Sequence, residues 1–368
     1  MKLKKKLIHL VGGARPNFIK IAPLYKLLEK HKDFEVKFIN TGQHNDKNLS
    51  SEIIKDLELC LPDYNLNVGL GSPNYHISEI IKKYDILLTK NKPDLVMVFG
   101  DVSSTLAIAI ATKKKEIKLA HVEAGLRCYD QNLPEEMNRK LTDSISDYLF
   151  TPTKIENKNL LKENISKNIF FVGNIMIDSL VTFMKKKKKQ RITMRKFDGI
   201  LTLHRPENVD SKANLLKIIK KVVKVTKGYR ILFPIHPRTK KNLENFNLYD
   251  FLKDCDNIQV SEPLIYSDFL LQTSNVKFVI TDSGGIQEET SFLGVDCFTL
   301  RKNTERPITI SSGSNKLINL KDLNKRLLLP KKRKKNFIEK WDGNTSKRII
   351  KVLEKILIKK GQKSFQRY

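Results

Sequence analysis

Short apolar runs rich in β-branched residues alternate along this chain with longer stretches in which apolar positions recur every three or four residues. The first pattern reads as a buried strand and the second as an amphipathic helix, so the chain predicts a succession of βα units. Strands are expected at Lys6–Val11, Glu35–Asn40, Asp94–Phe99, Lys118–Val122 and Ile169–Val172. A second set is expected at Ile200–His204, Arg230–Ile235, Lys277–Thr281 and Cys297–Leu300. Parallel strands need crossover helices, which cover the sheet on both faces. The predicted class is therefore α/β, with enough strands for two parallel sheets.

Periodicity stops at the lysine run Lys185–Lys189 and a new strand pattern starts at Ile200, so the stretch through Asp198 reads as a linker. The expected division is an N-terminal domain over 1–185, a C-terminal domain over 186–345 and a final helix within 346–368. That helix is predicted by Ile349, Ile350, Leu353, Ile356 and Leu357, which recur at helical spacing between Thr345 and Lys360. The length of 368 residues agrees with two domains, at about 100–200 residues each.

Composition narrows the class. No apolar run approaches the roughly 20 residues that a membrane-spanning helix needs, so no membrane insertion is expected. The start, MKLKKKLIHLVGG, reads as a first strand and not as a secretory signal. Cys60, Cys128, Cys255 and Cys297 are dispersed, which fits a cytoplasmic protein and neither a disulfide framework nor a zinc cluster. Asp254-Cys255-Asp256 imitates a metal motif but follows no convincing strand, so no metal is expected. The net charge of +29 could serve nucleic acid, yet the lysines spread over many helices without interleaved aromatics. A lysine bias on solvated faces, which also attracts anionic substrates, is the better reading, and no specific nucleic acid is expected.

Candidate chemistry centres on Asn275–Glu289, NVKFVITDSGGIQEE. This reads as a strand, a turn at Thr281–Gly285, and a helix carrying Gln287, Glu288 and Glu289 in its first turn. A helix start offers backbone N–H groups and a positive dipole end, and Gly284 and Gly285 would let a phosphate approach the chain. Ser283 as a plain N-cap is the bland alternative. Glu289 is placed to accept hydrogen bonds from ribose hydroxyls, which together with the turn suggests a nucleotide.

Other strand ends carry charge as well. In VGGARPNFIKIAPL, Pro16 suits the first helical position, with Arg15 in the loop before it and Lys20 one turn later, two cations that could grip a diphosphate. The stretch is not a G-x-G-x-x-G fingerprint, so no nicotinamide cofactor is inferred. Pro23 conflicts with a straight helix. Asp101 and Glu123 follow adjacent predicted strands, at the edge where open parallel sheets bind ligands, although Asp101 reads equally as an N-cap. Pro134 opens a helix on which Glu135, Asn138 and Arg139 share a face, while Met137, Leu141 and Ile145 lie apart; a surface ion pair would explain it too. His204, Arg205, His236 and Arg238 end strands, and Arg306 precedes Pro307 in a loop after another. A histidine there can meet a phosphate or pass a proton, or simply satisfy a turn.

Together the stretches GARPNFIKIAPL, TGQH, GDVSSTLA, HVEAGLR, PEEMNRKLTD, FTPT, VGNIMIDSL, LHRPENV, IHPRT, EPLIYSDF, TDSGGIQEE and TERP resemble the non-hydrolysing UDP-N-acetylglucosamine 2-epimerase family, in family order. The resemblance implies a GT-B-like architecture, two Rossmann-like doubly wound domains facing a cleft, with the last helix returning to the first domain. It implies catalytic roles for Asp101, Glu123, Glu135 and His204. It implies substrate binding by Arg15, Lys20, Arg139, Phe269, Ser283, Gly284, Gly285, Glu289 and Arg306. Gln43, His44, Glu136, Arg205 and His236 match positions that hold a second, activating UDP-GlcNAc in bacterial members.

The implied reaction interconverts UDP-GlcNAc and UDP-ManNAc for cell-surface polysaccharide precursors, through elimination of UDP to a glycal and its re-addition. No cofactor is implied; the expected partners are a UDP-sugar and a second copy of the chain in a homodimer. Departures from the family pattern are Leu264, where some members have a glutamine, Asn45-Asp46-Lys47 after Gln43-His44, and Pro206 after Arg205. The last is shared with a branch whose substrates are other 2-acetamido or 2,3-diacetamido sugars. A 2-epimerase of such a sugar, or a GT-B glycosyltransferase using a UDP-sugar, is the alternative.

Overall fold

The computed structural model describes residues 4–42, 47–69, 71–187, 197–329 and 336–359. The chain divides into two compact units, Met1–Thr182 with Glu339–Tyr368, and Phe183–Ile338. Each is an open, wholly parallel α/β sheet of the Rossmann-like, doubly wound kind.

In the first unit the strands are β1 (Lys6–Gly12), β2 (Phe34–Asn40), β3 (Tyr64–Asn65), β4 (Leu95–Phe99), β5 (Lys118–Val122), β6 (Tyr148–Thr151) and β7 (Ile169–Phe171). They lie in the order β3-β2-β1-β4-β5-β6-β7. Every residue of β4 is buried, as a central strand covered on both faces requires, which is why its sequence is a continuous apolar run. Val96 and Val98 pack with Ile80, Tyr84, Leu88, Ile108 and Leu119, each large buried side chain contributing about 1.5–3 kcal/mol. At the opposite end of β1 the Asp94 carboxylate accepts from Lys6 Nζ at 2.8 Å and the Leu7 amide at 2.9 Å, tying β1 to the entry of β4. The helix Arg15–Leu28 continues through Pro23 as one element.

The last helix, Thr345–Leu353 with a π-helical extension Glu354–Lys359, packs on helix Arg15–Leu28 within this unit. Ile349 and Leu353 are fully buried, whereas Ile350, Ile356 and Leu357 are only partly so. Its opening amides are satisfied from elsewhere: Asp178 accepts from Thr345 N at 3.0 Å and Ser346 N at 2.7 Å, a remote cap that also meets the helix dipole.

The second unit contains β8 (Gly199–Thr202), β9 (Ile231–Pro234), β10 (Ile258–Ser261), β11 (Phe278–Thr281), β12 (Asp296–Thr299) and β13 (Asn315–Leu317), ordered β10-β9-β8-β11-β12-β13. Its core joins Leu201, Ile231, Phe233, Phe278 and Phe298 to Leu215, Ile219 and Val222 of the helix Lys212–Val225. Strand order reverses direction at β1/β4 in one unit and at β8/β11 in the other. Ligands of such sheets bind at these points.

Four strands escape the sequence reading: β3, β6, β10 and β13. Three of them (β3, β10, β13) lie at sheet edges and run two to four residues, too short for a period to register. The expected linker is also corrected in part. Helix Ile175–Lys187 carries the first of its lysines, residues 188–196 lie outside the described residues, and Asp198 belongs to the second unit through Lys277 Nζ at 2.8 Å and the Arg230 amide at 2.9 Å. Among the described residues no helix is long and apolar enough to cross a membrane.

Candidate active site

In the first unit the charged residues gather where β1, β4 and β5 end. Gly12, Gly13 and Ala14 turn the chain into helix Arg15–Leu28, and the turn is fixed by Asn17: its Oδ1 accepts from the Gly13 and Ala14 amides at 3.2 and 3.0 Å. Its Nδ2 donates to the Phe99 carbonyl at 2.8 Å, so the start of this helix is fastened to the end of β4. Arg15 is the first helical residue, not a loop residue, and is partly exposed. Lys20, one turn on, is buried and ion-paired with Glu123 at the end of β5. That pair lies across Gly100, where a Cβ would come 2.9 Å from Lys20 Nζ and 3.3 Å from Glu123 Oε2. Glu123 is held at φ +77°, a left-handed conformation that a non-glycine residue adopts only when its surroundings impose it.

Asp101 follows β4 and accepts from Arg139 Nη1 at 2.5 Å, while its carbonyl accepts from Asn138 Nδ2 at 2.8 Å. Both partners come from helix Pro134–Ile145, which packs inside out. Its polar residues Glu136, Asn138, Arg139, Thr142 and Asp143 are buried, whereas Met137 and Leu141 are 52% and 46% exposed. The face read from spacing is thus extended and turned: Glu136 joins Asn138 and Arg139 inside, and Glu135 is half-exposed at the helix start. Glu136 accepts from Arg139 at 2.8 Å and from the Cys128 and Tyr129 amides at 3.1 and 3.0 Å, so it secures the loop before the helix. Burial works to raise its pKa, but the Cys128 amide and Arg139 outweigh that and hold it below the usual carboxylate range.

In the second unit the junction after β11 is as the sequence predicts in outline. Ser283 is the N-cap of helix Gly284–Leu293, though its side chain makes no capping bond; Gln287 Nε2 donates to its carbonyl at 3.1 Å instead. The helix starts at Gly284, which puts Glu288 and Glu289 in the second turn and not the first. Glu289 is buried, and Glu288 pairs with Arg306 Nε at 2.9 Å. Arg306 also meets Glu305. Gln287 is the hinge of this arrangement: its Oε1 accepts from Thr304 Oγ1 at 2.8 Å and Asn315 Nδ2 at 2.9 Å, and Thr304 in turn accepts from the Arg306 amide at 3.1 Å. A Cβ on Gly284 would strike Glu305 at 2.5 Å and Arg306 at 2.8 Å, but one on Gly285 would meet nothing within 4 Å, so the helix tip is open over Gly285. Phe269, on helix Tyr266–Asn275, packs partly buried against the cluster containing Ile286 and Val279.

Beside this tip, His204 lies just beyond the end of β8 with its Nδ1 3.1 Å from Asp282 Oδ1. Asp282 is fully buried and accepts as well from the His204 and Arg205 amides at 3.1 and 3.0 Å and from Asn208 Nδ2 at 3.1 Å. His236 caps helix Pro237–Asn245, its Nδ1 accepting from the Arg238 amide at 3.2 Å, and its ring lies 5.5 Å from that of His204. Gln43 and His44 lie outside the described residues.

The structure therefore collects Arg15, Lys20, Asp101, Glu123, Glu135, Glu136 and Arg139 at one sheet edge of the first unit. It collects His204, Arg205, His236, Ser283, Gly284, Gly285, Glu289 and Arg306 at that of the second. Sequence reasoning gave no role to Asp282, Gln287 and Asn17, the side chains that hold these turns. The Asn and Asp one residue from a glycine turn or three residues into a helix were the available signal. Among the described residues no group of three or more His, Cys, Asp or Glu is arranged to hold a metal ion.

Known proteins resemble this chain in sequence and in fold. The profile of the UDP-N-acetylglucosamine 2-epimerase family matches residues 26–354. A UDP-N-acetylglucosamine 2-epimerase homolog of Methanococcus maripaludis is 42% identical over 360 residues, 94% of this chain and 99% of its own length. The crystal structure of the Methanocaldococcus jannaschii UDP-GlcNAc 2-epimerase in complex with UDP-GlcNAc and UDP aligns with a TM-score of 0.86 at 40% identity, covering 95% of this chain and 99% of that one. The Neisseria meningitidis UDP-GlcNAc 2-epimerase bound to UDP-GlcNAc aligns with a TM-score of 0.84 at 30% identity, covering 95% of this chain and all of that one. With the family match and these alignments each spanning most of the chain, the chain belongs to the UDP-N-acetylglucosamine 2-epimerase family.

Proposed function

We propose that this chain, an isomerase of that family, interconverts UDP-GlcNAc and UDP-ManNAc without releasing free sugar. In the first half-reaction the C1–oxygen bond to UDP breaks, its electron pair leaving with the diphosphate, and the C2 proton passes to a carboxylate. The glycal so formed is then protonated at C2 from the opposite face while the diphosphate oxygen re-forms the bond to C1. Two faces require two proton carriers. Asp101 and Glu135 take these roles, and Glu123 positions the sugar or stabilises the positive charge that develops at C1, as carboxylates do in glycoside chemistry.

The observation that carries this reading is the pair of strand-end carboxylates, Asp101 and Glu123, each held by a cation of its own, Arg139 and Lys20. Rigid placement of reacting groups is worth several kcal/mol of barrier. In the second unit the open helix tip at Ser283–Gly285 and Arg306 receive the diphosphate, His204 stands beside it, Glu289 takes the ribose hydroxyls and Phe269 contacts UDP. Arg15 and Lys20 bring further positive charge to the leaving group. A cytoplasmic location, a homodimer, and activation by a second UDP-GlcNAc through Gln43, His44, Glu136, Arg205 and His236 belong to the same proposal.

Incubation with UDP-GlcNAc in deuterated water tests it, with C2 followed by NMR. Loss of the C2 proton signal together with appearance of UDP-ManNAc is expected. Release of UDP and free sugar would defeat the non-hydrolysing reading, and absence of exchange would defeat epimerisation. Faster exchange with a UDP-2,3-diacetamido sugar would move the substrate to that class.

A further inference from the structure

The first unit contains a buried charged cluster that the proposed mechanism does not use. His121, on β5, and Asp143, on helix Pro134–Ile145, both have no solvent exposure at their side chains. His121 Nε2 is 2.8 Å from the Gly100 carbonyl oxygen, and its Nδ1 is 2.7 Å from Asp143 Oδ1. A carbonyl oxygen can only accept, and so can a carboxylate, so both ring nitrogens must carry protons. Asp143 Oδ2 meets Arg127 Nη1 at 2.7 Å and accepts from the Gly125 amide at 3.0 Å; Arg127 in turn binds both oxygens of Glu163 at 2.7 and 2.6 Å. Two cations thus face two carboxylates, the balance that burial of charge demands. Burial alone would raise the Asp143 carboxyl, but His121 and Arg127 prevail and hold it below the usual range.

What the cluster grips is specific. Gly100, at φ +66°, precedes Asp101, and Gly125, at φ +82°, follows Glu123 by two residues. Gly100 is bound at both ends to the β5 side, its amide to the Val122 carbonyl at 3.1 Å and its carbonyl to His121. Glu123 itself is left-handed at φ +77°. We propose that His121, protonated at both nitrogens and neutralised by Asp143, is a positioning residue that locks the two turns from which Asp101 and Glu123 extend. It acts through backbone and touches no substrate. The inference rests on the reading of Asp101 and Glu123 as the carboxylates that attend the sugar.

Substitution His121→Gln, which keeps one donor and no charge, tests it beside ¹⁵N-histidine spectra of the unsubstituted protein at neutral pH. Rates are taken per UDP-binding site, so that misfolded protein does not count. The turnover number for C2 exchange should fall about a hundredfold, the scale of an ångström-sized misplacement, with KM and UDP affinity unchanged, and both ring nitrogens of His121 should resonate as protonated. Unchanged turnover, or UDP affinity lost in step with turnover, would overturn the positioning role; a bare ring nitrogen would overturn the clamp. Should the variant not fold, Asp143→Asn, which keeps the side chain's shape and removes its charge, takes its place in the same rate and affinity measurements. If the unsubstituted protein shows no C2 exchange while both nitrogens are protonated, the epimerase reading fails and the clamp stands.

Discussion

Asp282 lies fully buried beneath His204, its Oδ1 3.1 Å from the imidazole Nδ1, and the same carboxylate accepts the amides of His204 and Arg205. One buried anion therefore sets the direction of the ring and the course of the chain that carries it, leaving Nε2 directed away from Asp282.

That arrangement has a pH signature. Burial would raise the Asp282 carboxyl, but hydrogen bonds and charge from His204, with Asn208 and the Arg205 amide, outweigh it and hold its pKa below 3.8. A carboxyl whose folded pKa lies below its unfolded one contributes stability that is complete above the unfolded value and disappears as pH falls through the folded value. Asp282→Asn should lower stability by about 3 kcal/mol at neutral pH, the order of breaking a buried pair. Urea midpoints followed by circular dichroism should show this gap constant at neutral pH and closing below pH 3.8. A gap indifferent to pH would remove the ionised carboxylate as its source.

Glu135 stands half-exposed at the start of its helix, free of the buried network that its neighbour Glu136 joins. Glu135→Gln should leave UDP affinity nearly intact while reducing C2 deuterium exchange by about 10²–10⁴, the usual yield of general acid–base catalysis. Full exchange in this variant would take Glu135 out of the mechanism.

The two glycines at the helix tip should respond differently to alanine. At Gly284 a Cβ would meet the ends of the Glu305 and Arg306 side chains at 2.5 and 2.8 Å, so Gly284→Ala should cost only about 1 kcal/mol of stability, the low end of overpacking, and weaken UDP binding as Arg306 shifts. At Gly285 the space is open, so Gly285→Ala should keep or slightly raise the thermal midpoint, yet weaken UDP about tenfold by crowding the phosphate, a loss of about 1.4 kcal/mol. Calorimetric titration with UDP beside thermal melts separates the two. If Gly285→Ala binds UDP as tightly as the parent, no phosphate sits over that tip.

Glu289, buried in the second turn of the same helix, is the proposed acceptor of the ribose hydroxyls. Glu289→Ala should weaken UDP by about 1.5–3 kcal/mol, the worth of hydrogen bonds to a charged group, with a much smaller effect on the exchange rate at saturating sugar nucleotide. An unchanged affinity for UDP beside a slowed exchange would reverse this assignment.

Nine of the thirteen strands, the α/β class and the glycine-rich turn into a helix after β11 were legible in the sequence, because apolar period and turn chemistry act over a few neighbouring residues. Even so, the helix start was misjudged by about two residues, which moved Glu288 and Glu289 from its first turn to its second, where Glu288 pairs with Arg306. The lysine run read as a linker begins inside a helix, since lysines on an exposed helical face and in a linker are alike when taken one window at a time.

Which charges meet was decided by the fold alone. Lys20 and Glu123 are 103 residues apart, His204 and Asp282 78, and Asp101 and Arg139 38; each pair is made by the order in which strands lie side by side. Helix Pro134–Ile145 could be recognised from its sequence, yet its polar side went inward because Asp101, Cys128, His121 and Arg127 wait there with partners, and a buried charge is tolerated only where such partners are already in place. Local sequence thus sets what each segment becomes and what chemistry it carries. Only the packed sheets decide which of those groups stand together, since that depends on contacts no short stretch of chain can contain.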